Sequence, residues 1–394
     1  MKRIICLTVA LLTAEKIMAI QFQDDVDFLK KHTDVIVLAD KAGQAQVAVV
    51  PAWQGRIMTS TAGGADGLSF GWINRDLIAS GKLQPHINVF GGEDRFWIGP
   101  EGGQFSIFFA KGVPFDLEHW FTPAPIDTEG FDVVKKDAAS ALFRRQFGLN
   151  NYSGTGFKLE VTREVRLIER GAVMKSLGIA TDAKLVAVES VNTLKNTGAA
   201  AWTKQTGLLS IWMLGMLNAS PATTVVVPFV KGPEATLGPV VNDAYFGKVP
   251  ADRLVVNEKD GVLYFAADAK FRSKIGLAPR RCKPTLGSYD AVNKALTVVQ
   301  FTRPEGATDY VNSMWKLQDD PFNGDVANSY NDDGKLGGFY ELESSSPALA
   351  LAPGESATHV HRTIHFEGDE AALDAIAKKV FGVSVAQIRD GLKK

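Results

Sequence analysis

Apolar and polar residues alternate with a period of two over most of the chain, and this pattern predicts β-strands. The clearest run is 157–167, where one face carries Phe, Leu and Val and the other carries Lys, Glu, Thr and Arg. Further short β-rich runs are separated by Gly, Pro or Asp signals. They are 35–38, 46–50, 56–61, 68–72, 186–194, 207–212, 223–229, 254–257, 262–267, 273–277, 296–301, 339–344 and 359–366.

Helical periodicity occurs only near the two ends of this β-rich region. The segment 23–32 has acidic residues early and lysines late, as an amphipathic helix prefers. Two more helices are predicted at 369–380 and 384–392, with Asp369 and Ser384 as their N-caps. Because no repeat of propeller or solenoid length is visible, the pattern predicts an all-β fold, a single large antiparallel β-sandwich over 20–394 with short N- and C-terminal helices.

The first nineteen residues have the pattern of a secretory signal peptide. Lys2 and Arg3 precede an apolar run over 4–14, and small residues end at Ala19. The run is too short to cross a bilayer, so no membrane span is expected in the mature chain. Removal of 1–19 leaves Cys282 as the only cysteine, which excludes an internal disulfide and favours a bacterial periplasm.

Charge and composition narrow the class of partner. The formal net charge is −1 and 45% of the residues are hydrophobic, so the chain can bury a large core but lacks a polybasic surface. We therefore expect no nucleic-acid partner and no anionic membrane surface, and a neutral ligand fits better. The oligomeric state is left open by these numbers.

The stretch 86–109, HINVFGGEDRFWIGPEGGQFSIFF, places ionisable groups beside aromatic rings and glycine pairs. Carboxylates and a guanidinium suit the hydroxyls of a polyol, and an indole suits its C–H face. This composition predicts one wall of a sugar pocket, and the alternative is a glycine-kinked hairpin whose ion pairs close a buried corner. The predicted ligand-binding residues here are His86, Glu93, Arg95, Trp97 and Glu101.

A second concentration of polar residues lies near the C-terminal end. Glu341 and Glu343 fall on one face of the strand 339–344, about 7 Å apart by strand geometry, and their repulsion favours protonation of one of them. That arrangement provides a general base beside a proton donor. The preceding loop, 319–338, adds Asn331 and Asp332 as predicted sugar ligands. Its oxygens also suit calcium, but the spacing does not match an EF-hand, so an active-site loop without a cofactor is favoured.

Three further features allow two interpretations each. Arg163 lies on the apolar face of its strand and either enters the ligand pocket or pairs with a core carboxylate, which we favour. Lys204 either contacts the ligand or is a solvated loop lysine. Alternate histidines, at 359, 361 and 365, either bind zinc or copper or form a solvated face; the second reading is preferred and no metal site is predicted.

Two motifs resemble the galactose mutarotase (aldose 1-epimerase) superfamily. They are LESSSP over 342–347, followed by LAPGE over 351–355, and the Asn-rich strand VNTLKNTG over 191–198. The sequence NVFGGEDRFWIGPEGG is similar to an uncharacterised, exported branch of mutarotase-like proteins. The resemblance implies a mutarotase-like supersandwich fold, and it implies that Glu343, in its Leu-Glu context, is the catalytic base.

The chain departs from that superfamily at one position. The resemblance implies a histidine acid just after the Asn-rich strand, where this sequence reads Asn196, Thr197 and Gly198. His86 or a protonated Glu341 would have to replace it. The first hypothesis is therefore an exported epimerase-like enzyme with Glu343 and Glu341 as its catalytic pair. The alternatives are a non-catalytic carbohydrate-binding protein, or a glycoside hydrolase or lyase that uses two carboxylates.

Overall fold

Eighteen strands and six α-helices are present in the computed structural model, which describes residues 20–393. The strands are β1 Ile36–Ala39, β2 Gln46–Val50, β3 Arg56–Thr61, β4 Arg95–Gly99, β5 Asp132–Lys136, β6 Ser140–Asn150, β7 Gly156–Leu167, β8 Lys184–Asn196, β9 Ser210–Asn218, β10 Thr223–Pro228, β11 Leu254–Asn257, β12 Val262–Ala266, β13 Ser273–Leu277, β14 Thr285–Asp290, β15 Ala295–Phe301, β16 Ala327–Asn331, β17 Phe339–Ser345 and β18 Ser356–Glu367. The helices are α1 Phe22–Lys30, α2 Arg75–Ser80, α3 Arg170–Leu177, α4 Glu234–Leu237, α5 Glu370–Phe381 and α6 Val385–Asp390.

The strands form three sheets, and the paired strands run antiparallel. A ten-stranded sheet has the order β11-β12-β10-β14-β15-β18-β8-β7-β6-β5, and a five-stranded sheet has the order β13-β16-β17-β9-β4. The third sheet contains β1, β2 and β3. The five-stranded sheet therefore combines strands from the middle and the C-terminal part of the chain with β4 from its first quarter.

The two larger sheets pack face to face. One buried cluster joins Val225 and Phe265 of the ten-stranded sheet to Ile275 and Leu342 of the five-stranded sheet. A separate cluster covers the other face of the ten-stranded sheet with side chains of α3, α5 and α6. Burial of apolar area on both faces stabilises this arrangement, and the prediction of an all-β sandwich with short terminal helices is confirmed.

The C-terminal helices begin where the sequence predicts. Asp369 accepts a hydrogen bond from the backbone N–H of Ala372, at 2.8 Å, and Ser384 forms a capping box with Gln387. At the other end of the chain, the signal peptide predicted for 1–19 lies outside the described residues. No helix within 20–393 is long and apolar enough to cross a membrane.

Several strands differ from the sequence-based prediction. The predicted loop 319–338 contains β16, whose residues are buried although four of the five are polar or phenolic. The sequence pattern missed β16 because backbone pairing with β13 and β17, rather than apolar alternation, holds it in the sheet. The predicted strand 68–72 forms only isolated bridges, at Leu68 and Gly71.

A layer of buried polar groups lies between the sheets. Arg163 has no exposed side-chain surface, donates to the Asp94 carboxylate, and donates to Asn192 Oδ1 at 2.7 Å. Two further bonds run from Nε to the Gly55 carbonyl and from Nη2 to the Asp94 backbone carbonyl, each at 3.1 Å. Arg163 therefore pairs with a buried carboxylate in the core, as favoured above, and it does not lie in the ligand pocket.

The histidines of β18 belong to the same layer. His359 Nε2 and His361 Nδ1 each lie 2.8 Å from Ser344 Oγ, and His365 Nδ1 lies 2.9 Å from Thr297 Oγ1. All three are buried, and burial lowers the pKa of His359 to about 3. The expectation of a solvated face is thus wrong, because this face of β18 packs against the smaller sheets.

Candidate active site

The outer face of the five-stranded sheet collects charged side chains from three strands, β4, β13 and β17. Directly paired residues on antiparallel strands point to the same face. Arg95 and Glu343 both pair with Leu214 of β9, so their side chains project to the same side. Leu342, between the two glutamates of β17, packs into the inter-sheet core instead. The predicted alternation of β17, with Glu341 and Glu343 on one face, is confirmed.

Glu343 lies at the floor of this cluster. Lys274 of β13 places Nζ 2.9 Å from each carboxylate oxygen, and the Trp212 indole N–H donates to Oε2 at 2.9 Å. The side chain of Glu343 has no exposed surface, and that of Lys274 is 12% exposed. Although burial alone would lower it, the facing charges of Glu343 and Glu341 raise the pKa of Lys274. Glu343 and Lys274 therefore form a buried ion pair.

Glu341 forms the second ion pair, one step along the same strand face. Arg95 Nη2 lies 3.1 Å from its Oε1, and the guanidinium stacks 4.3 Å over the Trp97 ring. Burial raises the pKa of Glu341 to about 7, with the charge of Arg95 opposing this and the charge of Glu343 reinforcing it. One carboxyl of the pair is thus matched to proton transfer near neutral pH.

Glu101 approaches the cluster from the loop that follows β4. Its backbone N–H donates to Ser313 Oγ at 3.2 Å, and the loop is clamped by reciprocal amide bonds between Gln104 and Gln318, at 2.8 and 3.0 Å. A Cβ on the neighbouring Gly102 would lie 2.4 Å from a backbone carbonyl of the facing segment, so only glycine permits this close approach.

The Glu101 carboxyl faces the ion pairs. Burial raises its pKa to about 7, opposed by the charge of Lys274 and, more weakly, by a hydrogen bond to Trp315. The charges of Glu343 and Arg95 also act on it. Glu101 nevertheless keeps partial exposure, unlike Glu343. It is therefore the carboxyl that a ligand entering from solvent would meet first.

Aromatic rings surround these charges. Trp315 is partly exposed and stacks on Trp120, with ring centroids 5.7 Å apart and an interplanar angle of 24°. Trp97 contacts Trp212 edge to face at 5.4 Å, and Tyr245 lies with its ring 5.5 Å from Lys274 Nζ. These faces provide apolar surface suited to the C–H face of a sugar ring.

Three buried donors without an acceptor lie at or beside the charged cluster. Among the described residues, Arg95 Nε, Trp97 Nε1 and Trp120 Nε1 have no hydrogen-bond partner although they are buried. Such atoms are uncommon in folded proteins because an unmade bond costs about 1–3 kcal/mol. The unused donors are consistent with a site that is completed by water or by an oxygen-rich ligand.

Six of the predicted ligand-binding residues lie outside the charged cluster. Besides Arg163, Glu93 points between the sheets, where its Oε2 lies 3.5 Å from His365 Nε2. The side chain of Asn331 lies on the inner face of β16 and bonds to the backbone of Ala269 and Phe271, at 2.9 Å each. Both are therefore corrected to structural positions: Asn331 follows the outward-facing Tyr330 on β16, and Glu93 lies in a bend before β4, where strand alternation does not apply.

The other three predicted residues stabilise loops. Asp332 accepts hydrogen bonds from Tyr330 Oη at 2.8 Å and from the backbone of Gly334 at 2.8 Å. Lys204 is 53% exposed and pairs with Asp309 at 2.6 Å, and His86 Nδ1 lies 2.7 Å from the Trp120 carbonyl. No side-chain contact joins them to the charged cluster within 20–393.

Metal-binding groups and surface hollows are two other features that could mark a ligand site. In the part of the chain that the structure describes, no group of three or more His, Cys, Asp or Glu side chains is arranged to hold a metal ion. A surface hollow of about 580 Å³ lies at α1, lined by residues including Asp24, Phe28 and Arg75. It contains none of the residues of the charged cluster, and the cluster is the candidate site on chemical grounds.

Sequence reasoning missed several residues of the site. Lys274 occurs in the short, otherwise apolar run SKIGL, and a lone lysine in a buried strand was the available signal. Trp212 occurs in a run with no ionisable neighbours, and Trp315 and Tyr245 lie in irregular segments. Only the pairing of distant strands shows that these side chains meet.

Comparison with solved structures supports the fold. The Slr1438 protein of Synechocystis sp. PCC 6803 is 12% identical, with a TM-score of 0.53, over 85% of this chain and 96% of that chain. An Escherichia coli K12 protein described as a candidate aldose 1-epimerase is 13% identical, with a TM-score of 0.50, over 84% of this chain and 98% of that chain. A galactose mutarotase-like protein from Lactobacillus casei ATCC 334 has a TM-score of 0.49 and 10% identity.

The first two likenesses, with TM-scores of 0.53 and 0.50, establish a mutarotase-like β-sandwich fold, as the sequence resemblance implies. At such identities they describe the fold and not the reaction. Comparison with curated proteins found no match. A protein family does match, over residues 20–392, and it covers nearly the whole chain. The chain therefore belongs to DUF6786, a family of unknown function.

Proposed function

We propose that this protein binds a sugar or sugar derivative on the outer face of the five-stranded sheet and catalyses its acid/base epimerisation there. The observation that carries the proposal is the different environment of neighbouring carboxyls. Glu343 faces the Lys274 ammonium at 2.9 Å, whereas burial raises the pKa of both Glu341 and Glu101 to about 7. Carboxyls whose environments differ in this way can divide the roles of base and acid.

Epimerisation at an anomeric carbon needs two coupled proton transfers. Glu343 would take the proton of the anomeric hydroxyl while a carboxylic acid protonates the ring oxygen, and the bond between that oxygen and the anomeric carbon breaks. The open-chain aldehyde then closes on its other face with the reverse transfers. Because Lys274 now occupies both oxygens of Glu343, a bound hydroxyl must take over part of that contact.

The remaining groups suit an uncharged polyol. The two cations, Arg95 and Lys274, already face Glu341 and Glu343, so neither is free to neutralise a phosphate or carboxylate ligand. The unused donors of Arg95 and Trp97 can bind hydroxyl oxygens, and the partly exposed Trp315 ring can cover a C–H face. The mutarotase-like fold is in keeping with this ligand class.

Anomer interconversion tests the proposal directly. Freshly dissolved α-D-glucose and α-D-galactose would be followed by polarimetry or NMR with and without the protein. We expect catalysis above the spontaneous rate, and Glu343→Gln should lower it by about 10²-fold or more because the base is lost. Glu305→Gln is the matched control, since Glu305 is an exposed loop residue. Equal rates for both variants would refute the role of Glu343.

A second candidate function is carbohydrate binding without catalysis. It is favoured by the complete burial of Glu343, whose oxygens are occupied by Lys274 and Trp212. Under this alternative, calorimetry detects sugar affinity while anomers interconvert only at the spontaneous rate. Loss of affinity on Trp315→Ala would then locate the binding surface.

Export is part of the proposal and is supported by the N-terminal sequence pattern. We place the function in the bacterial periplasm, after cleavage behind Ala19. N-terminal sequencing of protein recovered from the periplasmic fraction of a bacterial host should begin at Ile20. A full-length chain confined to the cytoplasm would contradict this assignment.

A further inference from the structure

The proposed reaction needs a proton donor, and two carboxyl groups besides Glu343 border the site. We propose that Glu101, rather than Glu341, is the catalytic acid that protonates the sugar ring oxygen. This inference rests on the proposed function and extends it to the residue that replaces the absent histidine. The geometry of the two glutamates distinguishes them.

Glu341 is already engaged on the sheet. Its Oε1 accepts a hydrogen bond from Arg95 Nη2 at 3.1 Å, and burial together with the charge of the neighbouring Glu343 raises its pKa. The Arg95 guanidinium therefore holds this carboxyl against the face of the sheet. Glu341 also keeps little exposure, with 9% of its side chain accessible. Its role is therefore to position Arg95 and to modulate the charge of Glu343.

Glu101 approaches the site from the loop that follows β4 rather than from the sheet. None of the ion pairs within 20–393 involves it, and it retains partial exposure towards solvent. Its loop is fixed by the Gln104–Gln318 clamp and by the bond to Ser313 Oγ. A sugar ring lying between loop and sheet would have the base below it and this carboxyl beside it, as acid/base catalysis requires.

Lys274 connects the two catalytic groups electrostatically. Its ammonium touches Glu343 and acts on the charge of Glu101, so it stabilises whichever carboxylate is ionised. Burial raises the pKa of Glu101 to about 7, which keeps the acid form populated near neutral pH. After Glu101 gives its proton to the ring oxygen and Glu343 takes one from the anomeric hydroxyl, the net charge of the site is unchanged.

The test is the pH dependence of anomer interconversion, measured by polarimetry with α-D-galactose and corrected for the spontaneous rate. The wild-type rate constant should fall as pH rises through about 7, because the donor loses its proton. Glu101→Gln should abolish that alkaline limb and lower the rate about 10²-fold or more. Glu101→Asp should restore part of the activity and the limb, whereas Glu341→Gln should keep the limb.

Three outcomes would overturn the proposal. A Glu101→Gln variant that keeps the alkaline limb excludes Glu101 as the donor, and loss of the limb in Glu341→Gln instead assigns the role to Glu341. A wild-type protein without catalysis on any anomer removes the proposed function and this inference together. Circular dichroism and thermal unfolding of each variant separate these outcomes from misfolding, because a Glu-to-Gln change preserves side-chain volume.

Discussion

Removal of Lys274 should destabilise the protein through the buried charge that it leaves behind. Nζ lies 2.9 Å from both oxygens of Glu343, whose side chain has no exposed surface. At an effective dielectric constant of about 20, unit charges about 3 Å apart attract each other by roughly 5–6 kcal/mol. Part of this attraction offsets desolvation, so Lys274→Met is expected to lower the free energy of unfolding by about 3–5 kcal/mol.

A double substitution separates the charge from the packing. In Lys274→Met/Glu343→Gln neither charge remains, and Trp212 can still donate to the Gln carbonyl oxygen. The free energy of unfolding should therefore return to within about 1–2 kcal/mol of the wild type. Urea denaturation followed by tryptophan fluorescence measures the free energy of unfolding of the wild type, the single variant and the double variant. This test does not depend on catalytic activity.

The matched control is the same substitution in an exposed ion pair. Lys335 pairs with Asp333 at 2.5 Å, but its side chain is 84% exposed. Lys335→Met should change stability by less than about 1 kcal/mol. If Lys274→Met were no more destabilising than Lys335→Met, or if the double variant were less stable than either single variant, the reasoning about a buried, mutually dependent pair would be refuted.

Three other measurements test separate parts of the description. Arg163→Met leaves the Asp94 carboxylate buried without its partner, so urea denaturation should show a loss of about 3–5 kcal/mol, and a loss below about 1 kcal/mol would contradict the core pair. Burial raises the pKa of the Cys282 thiol to about 12, so a disulfide reagent should label it only in denaturant, and rapid labelling of the native protein would argue against this burial. Because the folded pKa of Glu101, about 7, lies above its usual value, the folded state binds the extra proton and stability falls as pH rises between about 4.5 and 7. Relative to wild type, Glu101→Gln should gain roughly 1–3 kcal/mol at about pH 8 and little at about pH 5 in urea titrations, and an equal difference at both pH values would contradict the shifted pKa.

The fold was accessible from the sequence because it depends on alternation and on turn residues. Glu341 and Glu343 fall on the outer face as the period of two predicts, and the caps of α5 and α6 begin at Asp369 and Ser384. β16 escaped prediction because its backbone pairing holds polar residues that no local pattern marks as a strand.

The candidate site was only partly accessible. Arg95, Trp97 and Glu101 join the two glutamates of β17, because the stretch that contains them supplies β4 and the following loop. Asn331 was misplaced, since one position along a strand moves a side chain to the opposite face. Glu93 was misplaced because it lies in a bend before β4, where the period of two does not hold. Lys274 and Trp212 could not be assigned, because the neighbours of β13 and β9 are set by tertiary strand order rather than by adjacent sequence.

The clamp between Gln104 and Gln318 has a kinetic consequence. It joins segments 214 positions apart, and the Arg95–Glu341 bond joins residues 246 positions apart. Closing such long loops is slow, and contacts of this range form late when a chain acquires its native topology. Recovery of ligand affinity should therefore be the last step of refolding. A nascent or partly folded chain contains all residues of the site, but they are not yet brought together.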